Sequence, residues 1–207
     1  MEETGSVNTV FLRGCVRGAP TASHETRGER FDRLTLEVER LSGAVDRVPV
    51  LARSQLLDEL ELPEAGEGAK LCVRGELRSF NNRSGVGARL VITVFAKELW
   101  FEPGPDENEV ILSGTLCKPP THRMTPLGRE ICDLMLAVNR RYGRSDYLPC
   151  IAWGAAAREA ALWDMGTPVS LRGRIQSRNY NKTVEGETVE KTAYEVSVIQ
   201  LAGGEPV

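Results

Sequence analysis

Residues 8–14 read NTVFLRG, and residues 108–114 read NEVILSG. At a fixed offset of 100, residues 8–52 align with 108–152 without a gap, and 15 of the 45 positions are identical. This repeat constrains the fold more than any other feature, because each copy must be a unit of about 100 residues with a core of its own. The identities include glycines (Gly14/Gly114, Gly28/Gly128, Gly43/Gly143), prolines (Pro20/Pro120, Pro49/Pro149) and the pairs Arg40/Arg140 and Asp46/Asp146. The apolar identities alternate: Val10 and Leu12, then Leu34, Leu36 and Val38, each matched 100 residues later. That is the period of strands with one buried face. Further on the register drifts. Arg74-Gly75 faces Arg172-Gly173 at an offset of 98, and LVITVF faces YEVSVI at 104.

Each copy has the same order of elements. A long strand (8–16; 108–118) leads into a polar loop. A hairpin follows (31–40 with 46–53; 129–139 with 146–153), then a short helix: SQLLDELEL, with Ser54 as its N-cap, and GAAAREAALWDM. Two more strands close the copy (69–79 and 88–101; 168–180 and 192–201). Three strands, a helix and two strands in about 100 residues predict an OB-fold, a five-stranded barrel with its helix between strands three and four. The expected fold is therefore all-β, as two tandem OB-fold barrels. They occupy 1–102 and 106–207, joined by the stiff linker Pro103-Gly104-Pro105.

Composition narrows the function by exclusion. Net charge is −3, so any nucleic-acid ligand must be held by a local basic face. No run approaches the roughly 18 apolar residues of a membrane span, and the acidic start lacks a secretory apolar region. The five cysteines are odd in number and none are in C-x-x-C spacing, which reads as reduced thiols in a cytoplasmic protein. His24 and His122 have no nucleophile or metal ligand at a useful spacing, so no enzyme activity, cofactor or metal is expected.

One strand of the second copy carries chemistry. In VSLRGRIQSRNYNK, Val169, Leu171, Gly173 and Ile175 share one face, while Arg172, Arg174, Gln176, Arg178 and Tyr180 share the other. Guanidiniums meet phosphates and a ring meets a base, so this face suits an anionic, stackable ligand. Beside it, NRRYGRSDY places Arg140, Arg141, Tyr142 and Arg144 in a hairpin turn, with Tyr147 starting the next strand and Trp153 ending it.

From here the chain resembles the bacterial single-stranded DNA-binding proteins. That family opens its barrel with N-x-V-x-L-x-G, matched by Asn108, Val110, Leu112 and Gly114. Its DP turn corresponds to Pro119-Pro120, and its F-x-L-A strand to LMLAVN. DYLPCIAWG resembles its E-W-H-x-V-x-x-F-G, MGTPVSLRGRIQSR its KG-x-x-V-x-G-x-L-x-x-R, and KTAYEVSV its closing strand. The resemblance covers 108–201 and, more weakly, 8–101. It implies non-sequence-specific binding of single-stranded DNA in replication, repair or recombination. The family's four base-stacking positions fall on Tyr142, Tyr147, Trp153 and Tyr180, with phosphate contacts expected from Arg140, Arg141, Arg144, Arg172, Arg174, Arg178 and Lys182. Trp163 matches none of them and is expected to pack beneath the barrel.

In the first copy the same four positions are Ser42, Arg47, Arg53 and Asn82. Phe80, Arg74 and Arg78 offer a partial substitute, interrupted by Glu76. This copy is therefore expected to bind more weakly. The family works with four barrels, so the resemblance implies a homodimer, with the open first strand as a pairing edge. The chain stops at QLAGGEPV, without the family's acidic tip, so recruitment of partner proteins by that route is not expected. The rival readings are a protein-interaction scaffold, a primosome-type accessory protein and an RNA-binding protein.

Overall fold

The computed structural model describes residues 6–60, 69–82, 89–140, 143–184 and 187–203; the side chains at 180–182, 184, 187 and 189–191 are outside that description. Two closed barrels follow one another along the chain. The first is built from β1 (Asn8–Thr26), β2 (Glu29–Glu39), β3 (Val45–Arg53), β4 (Lys70–Asn81) and β5 (Leu90–Phe101), with α1 (Ser54–Asp58) between β3 and β4. Its strand order is β1–β2–β3–β5–β4 and back to β1. The second contains β6 (Glu107–Leu116), β7 (Thr121–Met124), β8 (Glu130–Asn139), β9 (Ser145–Trp153), α2 (Gly154–Ala160), β10 (Pro168–Val184) and β11 (Glu187–Gly203). It closes as β6–β8–β9–β11–β10 and back to β6, with β7 added beside β8. In both, the pair after the helix meets the third strand in parallel: Val50 faces Val94, and Cys150 faces Val196. This is the OB-fold order, so the expected fold class holds.

The repeated residues explain how each barrel closes. Val10, Leu12, Leu34, Leu36 and Val38 point inward and are buried, as are Val110, Leu112, Leu134, Leu136 and Val138. A β-carbon on Gly14 would collide with the Glu37 carbonyl, and one on Gly114 with the Ala137 carbonyl. Gly75 and Gly173 stand equally close to the carbonyls of Phe95 and Ser197. These four glycines let neighbouring backbones approach where the sheet bends round on itself.

By contact, Thr9–Arg78 and Ile92–Glu109 form one compact unit; Met1–Asn8, Ser79–Val91 and Val110–Val207 form the other. The segment Pro103-Gly104-Pro105 is pinned as well as stiff. Arg13 donates from Nε to the Pro105 carbonyl (2.8 Å) and pairs with Glu107, while Lys70 pairs with Asp106.

Four local expectations change. Residues 17–26 are not a loop: β1 continues to Thr26 and pairs with β2 through two register shifts. The connection is a two-residue turn with Arg27 and Gly28 both at positive φ (53° and 77°), the geometry that matches strand twist in a hairpin. Nearly all of 17–26 is exposed on both faces, so no apolar alternation marks it as strand. Likewise β10 and β11 continue to a tip where Val184 faces Glu187. Ser54 is the first residue of α1 and is buried; Arg53 holds the N-cap place without a side-chain cap, because β3 runs directly into the helix. Finally, α2 ends at Ala160, and Trp163 lies against Gly203 rather than extending the helix.

Gly114→Ala should lower the unfolding free energy by about 1–3 kcal/mol in urea titration, the cost of forcing packed backbones apart. A loss below about 0.5 kcal/mol would contradict the close approach.

Candidate nucleic-acid interface

The β8–β9 hairpin is organised by a buried charge. Asp146 is 0% exposed, and Arg140 clamps it with two hydrogen bonds, Nε to Oδ2 (2.5 Å) and Nη2 to Oδ1. The first barrel repeats the clamp: Arg40 donates to Asp46 from Nε (2.6 Å) and Nη2 (2.5 Å). The hydrogen bond to Asp46 raises the Arg40 pKa above its ordinary value, with desolvation opposing it. A buried carboxylate is tolerated only when its oxygens are satisfied. Asp146 also accepts from the Ser79 backbone N–H (2.6 Å), Arg140 reaches the Ser79 carbonyl (3.1 Å), and Ser79 Oγ accepts from the Tyr147 N–H (2.7 Å). Ser79, at the end of β4, belongs to the same compact unit as these residues. The arrangement leaves the neighbouring rings outside: Tyr147 is 50% exposed and Phe80 47%.

Along β9, Tyr147, Pro149 and Trp153 fall at alternate positions to the buried Leu148, Cys150 and Ala152, with Ile151 also buried, so both rings share the outer face. Six residues of strand separate them by about 20 Å. Trp153 is half-buried and donates Nε1–H to Ser197 Oγ on β11 (3.1 Å). Ser197 in turn faces Arg174 on β10. Trp153, Ser197 and Arg174 therefore form a line across three strands, a flat indole edge leading to a cation. Two residues on, Gln176 donates to Glu195 (2.7 Å). Arg172 and Arg178 lie along β10, exposed, and Arg144 is exposed in the β8–β9 turn. Among the described residues no carboxylate forms an ion pair with Arg144, Arg174 or Arg178. Tyr142 and Arg141 lie outside the described residues, and so do the side chains of Tyr180 and Lys182, whose backbones are on β10.

The first barrel treats its basic residues differently. At the positions of two stacking aromatics, Arg47 and Arg53 are paired with Glu37 (3.0 Å) and Glu29 (3.2 Å). Glu37 also binds Arg17 (2.5 Å), and hydrogen bonds from Arg47 and Arg17 hold its carboxyl below the usual value. Arg74 pairs with Glu98 (2.7 Å) and stacks over Trp100 at 5.2 Å, while Glu76 takes both Arg78 and Lys97. Sequence reasoning missed Ser197, Ser79 and this acidic partnering; none carries a motif, and each emerges only when strands are placed side by side. His122 lies on β7, its Nε2 4.0 Å from Glu130, and among the described residues no three-residue cluster could hold a metal. The five cysteines are free, and no described helix is long and apolar enough to cross a membrane.

The model of the single-strand binding protein family matches residues 107–202. Single-stranded DNA-binding protein B of Bacillus subtilis is 33% identical over 106 residues, spanning 48% of this chain and 93% of that protein. The chain belongs to the single-strand binding protein family. Membership places it among binding proteins rather than enzymes. Single-stranded DNA-binding protein 2 of Listeria innocua is 34% identical over 101 residues, 45% of this chain and 63% of its own length, so the chain covers under two thirds of that relative. In fold, the wild-type single-stranded DNA binding protein from Thermus aquaticus superposes with a TM-score of 0.77 over 99% of this chain and 96% of that one, at 22% identity.

Asp146→Asn should cost about 2–4 kcal/mol by chemical denaturation. This is near the lower end for breaking a buried ion pair, because Arg140 keeps part of its surface in water. A change within about 0.5 kcal/mol would show that the clamp is not needed.

Proposed function

We propose that the chain binds single-stranded DNA without sequence preference, on the outer face of the second barrel, in replication, repair or recombination. The line Trp153–Ser197–Arg174 carries this reading, since it sets a ring for a base beside a cation for the adjoining phosphate. Tyr147, on the same face of β9, supplies a second platform about 20 Å along the track. Tyr142 and Tyr180 are assigned the remaining two platforms. Arg144, Arg172, Arg174, Arg178, with Arg141 and Lys182, neutralise phosphates, and Arg140 contributes chiefly by holding the hairpin. Family membership and the names of the relatives support the ligand class.

The first barrel is the weaker binder. Arg47, Arg53 and Arg74 are matched by its own glutamates, so a phosphate must displace a carboxylate to reach them. Phe80, Arg74 and Arg78 contribute less than the second barrel's set. The protein acts as a homodimer, which supplies four barrels, the number that the family resemblance implies.

Adding poly(dT) should quench tryptophan fluorescence, with log affinity falling linearly in log salt. Trp153→Ala should weaken binding about 5- to 150-fold, the value of one stacked base, and Phe80→Ala less. The same samples should sediment at twice the mass of the chain. Absence of quenching together with no retention on single-stranded DNA at low salt would overturn the reading. Equal losses for the two variants would remove the asymmetry between barrels.

A further inference from the structure

The first barrel holds a set of rings that its correspondence with the second does not reveal. On the outer face of β2, Phe31 lies opposite Arg53 of β3. The equivalent pair in the second barrel is Ile131 opposite Trp153. The aromatic has thus crossed the ladder: where the second barrel has its ring on the third strand, the first has it on the second. Phe31 is only 6% exposed, because other rings cover it. The His24 imidazole lies flat against it, centroids 5.0 Å apart and planes within 10°. Phe95 of β5 tilts against it at 6.0 Å, and the Arg78 guanidinium sits 5.8 Å from the Phe95 centroid.

His24 is the exposed end of this stack. It stands in the paired part of β1, just after the register shift between Ala22 and His24, an irregularity of the kind that re-aims a side chain. Ser23 Oγ lies 3.1 Å from its Nδ1. A surface ring normally loses rotamer freedom when a base stacks on it, whereas this one is already held flat by the phenyl ring beneath. Arg33, two residues beyond Phe31 on the same face, is exposed and has no ion-pair carboxylate among the described residues.

We propose that the outward face of His24, backed by Phe31 and Phe95, is a nucleobase-stacking platform of the first barrel, with Arg33 beside it for the phosphate. The proposal rests on the single-strand reading above and adds a site outside the four family positions. It is tested in the full chain carrying Trp153→Ala, in which the second barrel has lost one of its four assigned platforms, using fluorescein-labelled oligo(dT) at low salt. His24→Ser in this background should weaken binding about tenfold, the scale of one lost base stack, and His24→Tyr should restore it, since the ring and not the imidazole nitrogens is needed. In the parent chain the His24 ring-proton resonances should move upfield on adding oligo(dT). Unchanged affinity in the His24→Ser background together with unmoved resonances would overturn the platform, while binding by the parent leaves the single-strand reading intact. Failure of the parent itself to bind oligo(dT) would overturn both.

Discussion

A carboxylate at the foot of the central hairpin, buried and held at both oxygens by one guanidinium, is the contact on which much of this structure depends. Asp146 lies where a charge can persist only if it is answered, and Arg140 answers it from the end of the preceding strand. The pair fixes the β8–β9 register, and a one-residue slip would turn Tyr147 and Trp153 from the outer face into the core. Asp146 also gathers the Ser79 backbone, and Ser79 Oγ receives the Tyr147 N–H, so the clamp orders the strand that presents the ring. The first barrel retains the same clamp in Arg40 and Asp46 although its neighbouring outer-face residues have changed. This is the behaviour of a scaffold element, maintained whatever the adjacent face binds.

Scaffold and outer face have followed separate courses. Inward residues, glycines at backbone crossings and the buried ion pair recur at an offset of 100, because closing a small barrel leaves little freedom at any of them. The outer face is not so constrained. In the second barrel it carries aromatics, and Arg144, Arg174 and Arg178 have no ion-pair carboxylate among the described residues. In the first, Arg47 and Arg53 stand where the aromatics would be, each bound to a glutamate.

The legibility of the sequence follows the same division. The barrels could be read because Val10, Leu12, Leu34 and Leu36 alternate with outward residues and their counterparts repeat them. The second half of β1 could not, since a ribbon wetted on both faces has no apolar period, and its turn places the non-glycine Arg27 at positive φ. Ser54 misled because its residue type suits a cap, yet a strand that runs straight into a helix leaves the cap to whatever residue ends the strand. Of the proposed site, Tyr147 and Trp153 come from the family pattern alone. Phe31 and Phe95 were not: as single aromatics in strands they resemble core residues, and only the pairing of β1, β2, β3 and β5 shows them on an outer face together.

The central claim is that a single strand travels across the outer face of β9, β11 and β10. Photocross-linking of bromodeoxyuridine-substituted oligo(dT) to the full chain, followed by peptide mapping, tests it most directly. The account expects the principal cross-links at Trp153 and Tyr147. Cross-links confined to α2 and the exposed Leu162 and Met165 beyond it would contradict it.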